Sequence, residues 1–168
     1  MSSTTPRSPR FDRTWIAAHI PHSGAMCLLD VVETWSDEAI RCVATSHLDL
    51  DNPLRSNGRL AAVCGIEYAA QAMAVHGAVL ASQTQRPRAG FLASVRNVEM
   101  QAERLDTLDG PLIVEAERIS GDANNVLYSF TLRCGDRPVM TGRAAVILDA
   151  SGSGSGSIGE AAKPDANR

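Results

Sequence analysis

Apolar and polar residues change period three times along this chain, and those changes mark its elements. Between residues 12 and 20 a short helical pattern runs up to Pro21, which ends it because the residue before a proline avoids helical backbone. After a loop at residues 21–25, segments 26–35 and 39–47 read as two strands of a hairpin, joined by the turn residues Ser36, Asp37 and Glu38. Residues 49–58 carry Asn52, Pro53, Asn57 and Gly58, which is loop chemistry. From residue 59 to about 83 the pattern becomes long, Ala-rich and helical. Beyond Arg86-Pro87-Arg88, segments 90–101, 111–120, 126–133 and 138–148 are strand-like, separated by turn signals at Asp109-Gly110, at residues 121–125 and at Gly135-Asp136. Leu112, Val114 and Ala116 alternate with Ile113, Glu115 and Glu117, and Tyr128, Phe130 and Leu132 with Leu127, Ser129 and Thr131, so each strand buries one face. Two strands, one long helix and four further strands predict an α+β fold in which a curved antiparallel sheet wraps a central helix.

Composition narrows this picture. Of the 168 residues, 1–10 are rich in Ser, Thr and Pro and 151–168 open on a Ser-Gly repeat, so both read as disordered tails around one domain at 11–150. The net charge of −3 is spread without long runs of one sign, which argues against a nucleic-acid surface. No stretch is expected to span a membrane and no signal peptide is evident, so the expected location is cytoplasmic. Cys27, Cys42, Cys64 and Cys134 form no C-x-x-C pair, so free thiols are expected and no metal or other cofactor is implied.

Glu67 is the residue that composition does not explain. It stands in Gly65-Ile66-Glu67-Tyr68-Ala69-Ala70-Gln71-Ala72-Met73-Ala74, where the flanking side chains are apolar or small all round the helix. A surface glutamate is the bland alternative. The flanks favour a carboxyl shielded from water, which must be paired or protonated. Leu60, Cys64, Glu67, Gln71, Val75 and Ala78 fall on one helical stripe.

Three segments resemble the hotdog-fold 3-hydroxyacyl-[acyl-carrier-protein] dehydratases: Ile20-Pro21-His22 with residues 26–32, the helix motif Ile66-Glu67-Tyr68-Ala69-Ala70-Gln71, and residues 91–99 with Asp109-Gly110. The combination of Asn52-Pro53-Leu54-Arg55, Gly58-Arg59-Leu60 and residues 65–71 is similar to the branch associated with aryl polyene synthesis. The resemblance implies a dimeric hotdog fold acting on acyl-carrier-bound 3-hydroxyacyl thioesters in fatty-acid or aryl polyene synthesis. One feature departs from the family. Its catalytic histidine belongs to a His-Phe-Pro segment, and the matching stretch here is Asp51-Asn52-Pro53.

Dehydration needs a base for the α-proton, an acid for the departing hydroxyl and dipoles for the enolate-like oxygen. Glu67 fits the acid, because desolvation favours its protonated form. Gln71, one turn on, is placed to bond Glu67 or to brace the neighbouring loop. Leu60, Ala62 and Cys64, with Gln71, are the expected substrate-binding positions, since a helix start near residues 60–63 offers unpaired N–H groups and the positive end of the dipole. Among the histidines, His19 and His76 read as structural and His22 as a loop residue. His47, just upstream of the missing histidine, is the candidate to replace it. In the family, each active site joins the histidine of one subunit to the carboxylate of the other, so a partner hotdog subunit is the other possible source of the base. Two further readings share this fold: an acyl thioesterase, and a non-catalytic subunit that binds acyl carrier or acyl chain. Arg86, Arg88 and Arg96 form the expected docking patch for an acidic carrier protein.

Overall fold

The computed structural model describes residues 10–81 and 90–148. Apart from Arg10, both expected tails lie outside those residues, as do Arg86 and Arg88. In chain order the elements are β1 (Phe11–Asp12), α1 (Arg13–His19), a 3₁₀ turn (Gly24–Met26), β2 (Val31–Trp35), β3 (Ala39–Ala44), two more 3₁₀ turns (Ser46–Leu48 and Ala62–Cys64), α2 (Gly65–Ala81), β4 (Gly90–Met100), β5 (Leu112–Gly121), β6 (Asn125–Cys134) and β7 (Arg137–Leu148). The strands form one antiparallel sheet in the order β1-β2-β3-β5-β6-β7-β4. Helix α2 packs on β3, β5 and β6. This is the hotdog arrangement.

The alternation seen in the sequence sets the core. Leu112, Val114 and Ala116 of β5 and Val126, Tyr128, Phe130 and Leu132 of β6 are buried, while Ile113, Glu115, Leu127, Ser129 and Thr131 are only partly covered. From α2 the inner face contributes Tyr68, Ala69, Ala72, Met73, Val75 and Val79. The small residues let the sheet approach closely. A Cβ on Gly65 would sit 3.0 Å from Leu132 Cδ2 and 3.2 Å from Met140 Cε, so glycine is what allows the helix to start hard against β6 and β7.

Four expectations need correcting, three of them because a side chain or a loop claims backbone groups. The first hairpin strand begins at Val31 rather than residue 26, because the backbones of Met26 and Leu28 bond to the Gln71 amide instead of a ladder. Its partner ends at Ala44, and Ser46–Leu48 turns away. Helix α2 starts at Gly65 rather than residue 59, since the Leu60 N–H goes to Asp106 Oδ1 (3.0 Å) and that of Ala62 to the Glu103 carbonyl (2.9 Å). The two-residue strand β1 stands where the sequence suggested only a helix start. A fifth correction concerns membranes: residues Ala62–Ala81 are long and apolar enough to span one, contrary to expectation. The sheet covers much of that helix, as in the core of a folded domain.

Strand β4 ends the sheet, bonded only to β7, and leaves Phe91, Leu92 and Met100 exposed. It is bulged between Arg96 and Glu99, where Asn97 takes a left-handed conformation (φ 52°).

Candidate functional site

Glu67 enters from the first turn of α2, and Gln71, four residues later, lies on the same face. The Gln71 Nε2 donates to Glu67 Oε1 at 3.0 Å and to the Met26 carbonyl at 2.7 Å, while its Oε1 accepts from the Leu28 N–H at 2.9 Å. Backbone groups therefore fix which end of this fully buried amide faces Glu67. Gln71 thus performs both roles open to it: it bonds the carboxylate and braces the segment that follows α1.

That braced segment carries His22 to the same carboxylate. Its Nε2 lies 3.0 Å from Glu67 Oε1, an ion-pair distance without the alignment of a full hydrogen bond. Ile20, buried on one side, and Cys27 to Leu29, buried on the other, anchor the strap that holds it. The His22 Nδ1 is buried and meets no hydrogen-bond partner. Oε1 thus faces two nitrogens, whereas Oε2 has no partner among the described residues. The Glu67 side chain is 31 % exposed in the single chain and that of His22 28 %, so the carboxyl is half-buried, not sealed inside the sheet as expected. A concavity of about 530 Å³ lies elsewhere, against β2, β3, β5 and β6.

His47 does not join this cluster. It is wholly buried in the Ser46–Leu48 turn, donates Nε2–H toward the Leu108 carbonyl at 3.3 Å and makes neither a hydrogen bond nor an ion pair with Glu67. Burial pushes its pKa down, against smaller opposing effects of the Leu108 and Gly110 carbonyls and of Asp30 and Asp49. In the stretch that matches His-Phe-Pro, the histidine's place falls to the exposed Asp51, which is followed by Asn52. Asn52 is buried, and its Nδ2 donates to the Ser46 carbonyl (2.8 Å) and to the Tyr68 hydroxyl (3.1 Å), which also pairs with Ser46 Oγ at 2.9 Å. That network ties the loop at Asn52 to Ser46 and to Tyr68 of α2.

The expected substrate positions divide. Leu60 and Ala62 have spent their N–H groups on the loop at residues 103–106, so neither offers one to a thioester. Cys64 donates its N–H to Ala61 (3.0 Å), and its thiol faces the Leu54 carbonyl at 3.8 Å. Val63, the last of residues 60–63, is the position that keeps its N–H free. It is exposed, one turn before Glu67, and its N–H meets no acceptor among the described residues. Behind it, Asp106 accepts from Arg104, Arg55 and the Leu60 N–H, and the Arg104 contact in particular holds its carboxyl well below the usual range. Arg55 also donates to the carbonyls of His47, Leu48, Asp49 and Gly58, pinning the loop before α2.

His19 and His76 are structural, as expected. His19 stacks on Trp15 with centroids 3.9 Å apart, and its Nδ1 meets the Trp15 carbonyl. His76 Nε2 donates to the Ser36 carbonyl and Nδ1 accepts from the Tyr128 hydroxyl, both at 2.9 Å. Arg96 is exposed on β4. Among the described residues no three His, Cys, Asp or Glu side chains gather as a metal ion would require.

The sequence carried a signal for His22 that periodicity could not read. Pro21 ends α1 and turns the chain, but contact with Glu67 depends on Gln71 drawing in the backbone of Met26 and Leu28.

Known proteins share this fold. The chain resembles the dehydratase heterocomplex ApeI:P from Xenorhabdus doucetiae, at a TM-score of 0.72 and 22% identity over 81% of this chain and 91% of that one. A mutant thioesterase from Pseudomonas aeruginosa superposes at 0.56 with 17% identity, covering 84% and 95% of the two chains. A thioesterase from Haemophilus influenzae does so at 0.55 with 11% identity, covering 83% and 91%. Likenesses this distant establish the fold alone. No curated protein sequence matches the chain. The family model described as ApeP-like, ApeP dehydratase, matches residues 14–151, from α1 through the last strand and with it the whole Glu67 cluster, and the chain therefore belongs to the ApeP-like dehydratase family.

Proposed function

We propose that this protein is one subunit of a hotdog dehydratase acting on acyl-carrier-bound 3-hydroxyacyl thioesters, with Glu67 as its acid and a histidine from a second hotdog subunit as the base. The observation that carries this reading is the state of the Glu67 carboxyl: Oε1 is engaged by His22 and Gln71, while Oε2 is unpartnered on a half-exposed side chain. A carboxyl held by one oxygen and open at the other suits transfer of a single proton. In the reaction the partner's histidine removes the α-proton, electrons move to form the Cα–Cβ double bond, and the C–O bond breaks as Glu67 protonates the hydroxyl, which leaves as water. The Val63 N–H, beside the positive end of α2, is suited to receive the thioester oxygen as negative charge builds on it.

Two features support a partner. Asp51 stands in place of the family's histidine, so this chain's own loop offers no imidazole there. Strand β4 is a long edge with exposed apolar residues, the kind of edge that another sheet covers. The solved relative from Xenorhabdus doucetiae is itself a heterocomplex. Carrier docking falls in this reading to Arg96 on β4, with Arg86 and Arg88 nearby in sequence.

The test is to purify the chain alone and with a co-expressed hotdog dehydratase, and to follow enoyl thioester formation from a 3-hydroxyacyl thioester. Activity is expected from the complex and not from the single chain, and Glu67→Gln should abolish it. Release of free acid instead would indicate a thioesterase, and full activity of the Glu67→Gln complex would leave a purely binding subunit.

A further inference from the structure

The His22 contact has no part in the reaction as described, although it touches the carboxyl that does the chemistry. Its distance decides where hydrogens can sit. An unprotonated Nε2 at 3.0 Å from an ionised carboxylate oxygen would set lone pair against lone pair, so with Glu67 ionised the hydrogen lies on Nε2. Gln71 already donates a second hydrogen to the same oxygen, and its amide cannot turn over without breaking its bonds to Met26 and Leu28. Oε1 thus faces both nitrogens, Gln71 by a hydrogen bond and His22 by an ion-pair contact. The other ring nitrogen, Nδ1, is buried without a partner. A neutral His22 ring therefore carries its hydrogen on Nε2. Its remaining nitrogen is closed to substrate, which excludes it as the α-proton base in this arrangement.

We propose that His22 is a positioning residue for Glu67: together with Gln71 it occupies Oε1, so the proton exchanged with substrate is carried on Oε2. This rests on the dehydratase reading for its consequence in turnover, but not for its consequence in the resting protein. Without the ring, Oε1 keeps one donor, the carboxyl is free to rotate about its terminal bond, and the proton is shared between an inward and an outward oxygen. Substrate binding is unaffected, because His22 contacts the acid and not the acyl group.

Two measurements test this. In the full chain, ¹⁵N-labelled imidazole spectra at neutral pH should show His22 as the Nε2–H tautomer, and Glu67→Ala should move it toward the tautomer mixture of a free histidine. A dominant Nδ1–H form, or a spectrum indifferent to Glu67→Ala, overturns the proposal. In the assembled complex, with 3-hydroxybutyryl-N-acetylcysteamine as substrate, His22→Leu should lower kcat about 10- to 100-fold, as expected for one lost polar contact to the reacting carboxyl, with KM within about twofold. His22→Gln, whose amide nitrogen reaches the place of Nε2, should restore kcat to within about fivefold of the parent. Equal loss in both variants, or loss in neither, also overturns it. Should the complex show no dehydration at all, the functional reading fails and the tautomer measurement alone decides the role of His22.

Discussion

His22 and His76 each pair with a polar partner against the same helix, yet only one pairing leaves anything undone. His76 is wholly buried, both ring nitrogens are bonded, and its partner Tyr128 has a hydroxyl pushed up to about 12 by burial, with Arg118 opposing. Nothing in that pair can exchange a proton with a ligand. His22 and Glu67 sit half-exposed at the other end of α2, with Oε2 unpartnered and Nδ1 unsatisfied. The lesson is that polar residues in a helix core separate into structure and chemistry by their leftover hydrogen-bonding capacity and their access, not by residue type.

The contrast predicts opposite outcomes for mutations at the two ends. Glu67→Gln should lower dehydration by the complex about 10²- to 10⁴-fold, the usual range for a lost proton-transfer group, while thermal unfolding of the chain stays near that of the parent. Large loss of stability instead would make Glu67 a structural residue like His76. Conversely, His76→Ala should cost about 3 kcal/mol in urea unfolding, from the cavity and from the stranded Tyr128 hydroxyl and Ser36 carbonyl, with kcat of the folded complex unchanged. An intact stability curve would break the comparison.

Between these lies the strap behind Val63. Arg55 and Asp106 have side chains only 10% and 6% exposed, so Arg55→Ala is expected to cost about 2 kcal/mol and to raise KM by loosening the loop before α2. Differential scanning calorimetry and steady-state kinetics read the two effects separately. The smallest effect is on pH. Burial lowers the pKa of His47 and of His76, the latter with Arg118 also lowering it and the Ser36 carbonyl, Asp37 and Glu38 opposing. The unfolded chain therefore takes up protons first, and stability should fall as pH drops through about 6.5, the ordinary histidine value. Asp106 acts later: its carboxyl is held down in the fold, so its contribution is present above the ordinary carboxylate value of about 4 and is lost only as pH falls well below it. A stability profile flat from pH 7.5 to 5.5 would contradict the histidine part.

Much of the architecture could be read in advance because it depends on local period. The alternation in β5 and β6, the turn residues between strands and the Ala-rich helix each specify an element from its own neighbours. Element ends were less legible, because Leu60 looks helical until Asp106 takes its N–H, and Met26 looks extended until Gln71 takes its carbonyl. The site was half legible: Glu67 and Gln71 stood out as polar residues on an apolar helix, whereas His47 was favoured over His22 because it lies closer in sequence to the missing histidine.

Sequence alone thus determined the fold class, the central helix and the carboxylate that stands out on it, since hydrophobic period and an unexplained carboxylate are properties of neighbouring residues. Tertiary structure decided the rest: which histidine meets Glu67, which of its oxygens is left open, and which backbone N–H groups remain unspent. Those depend on contacts between residues 45 positions apart, such as Gln71 with Met26, and only the folded chain brings their partners together.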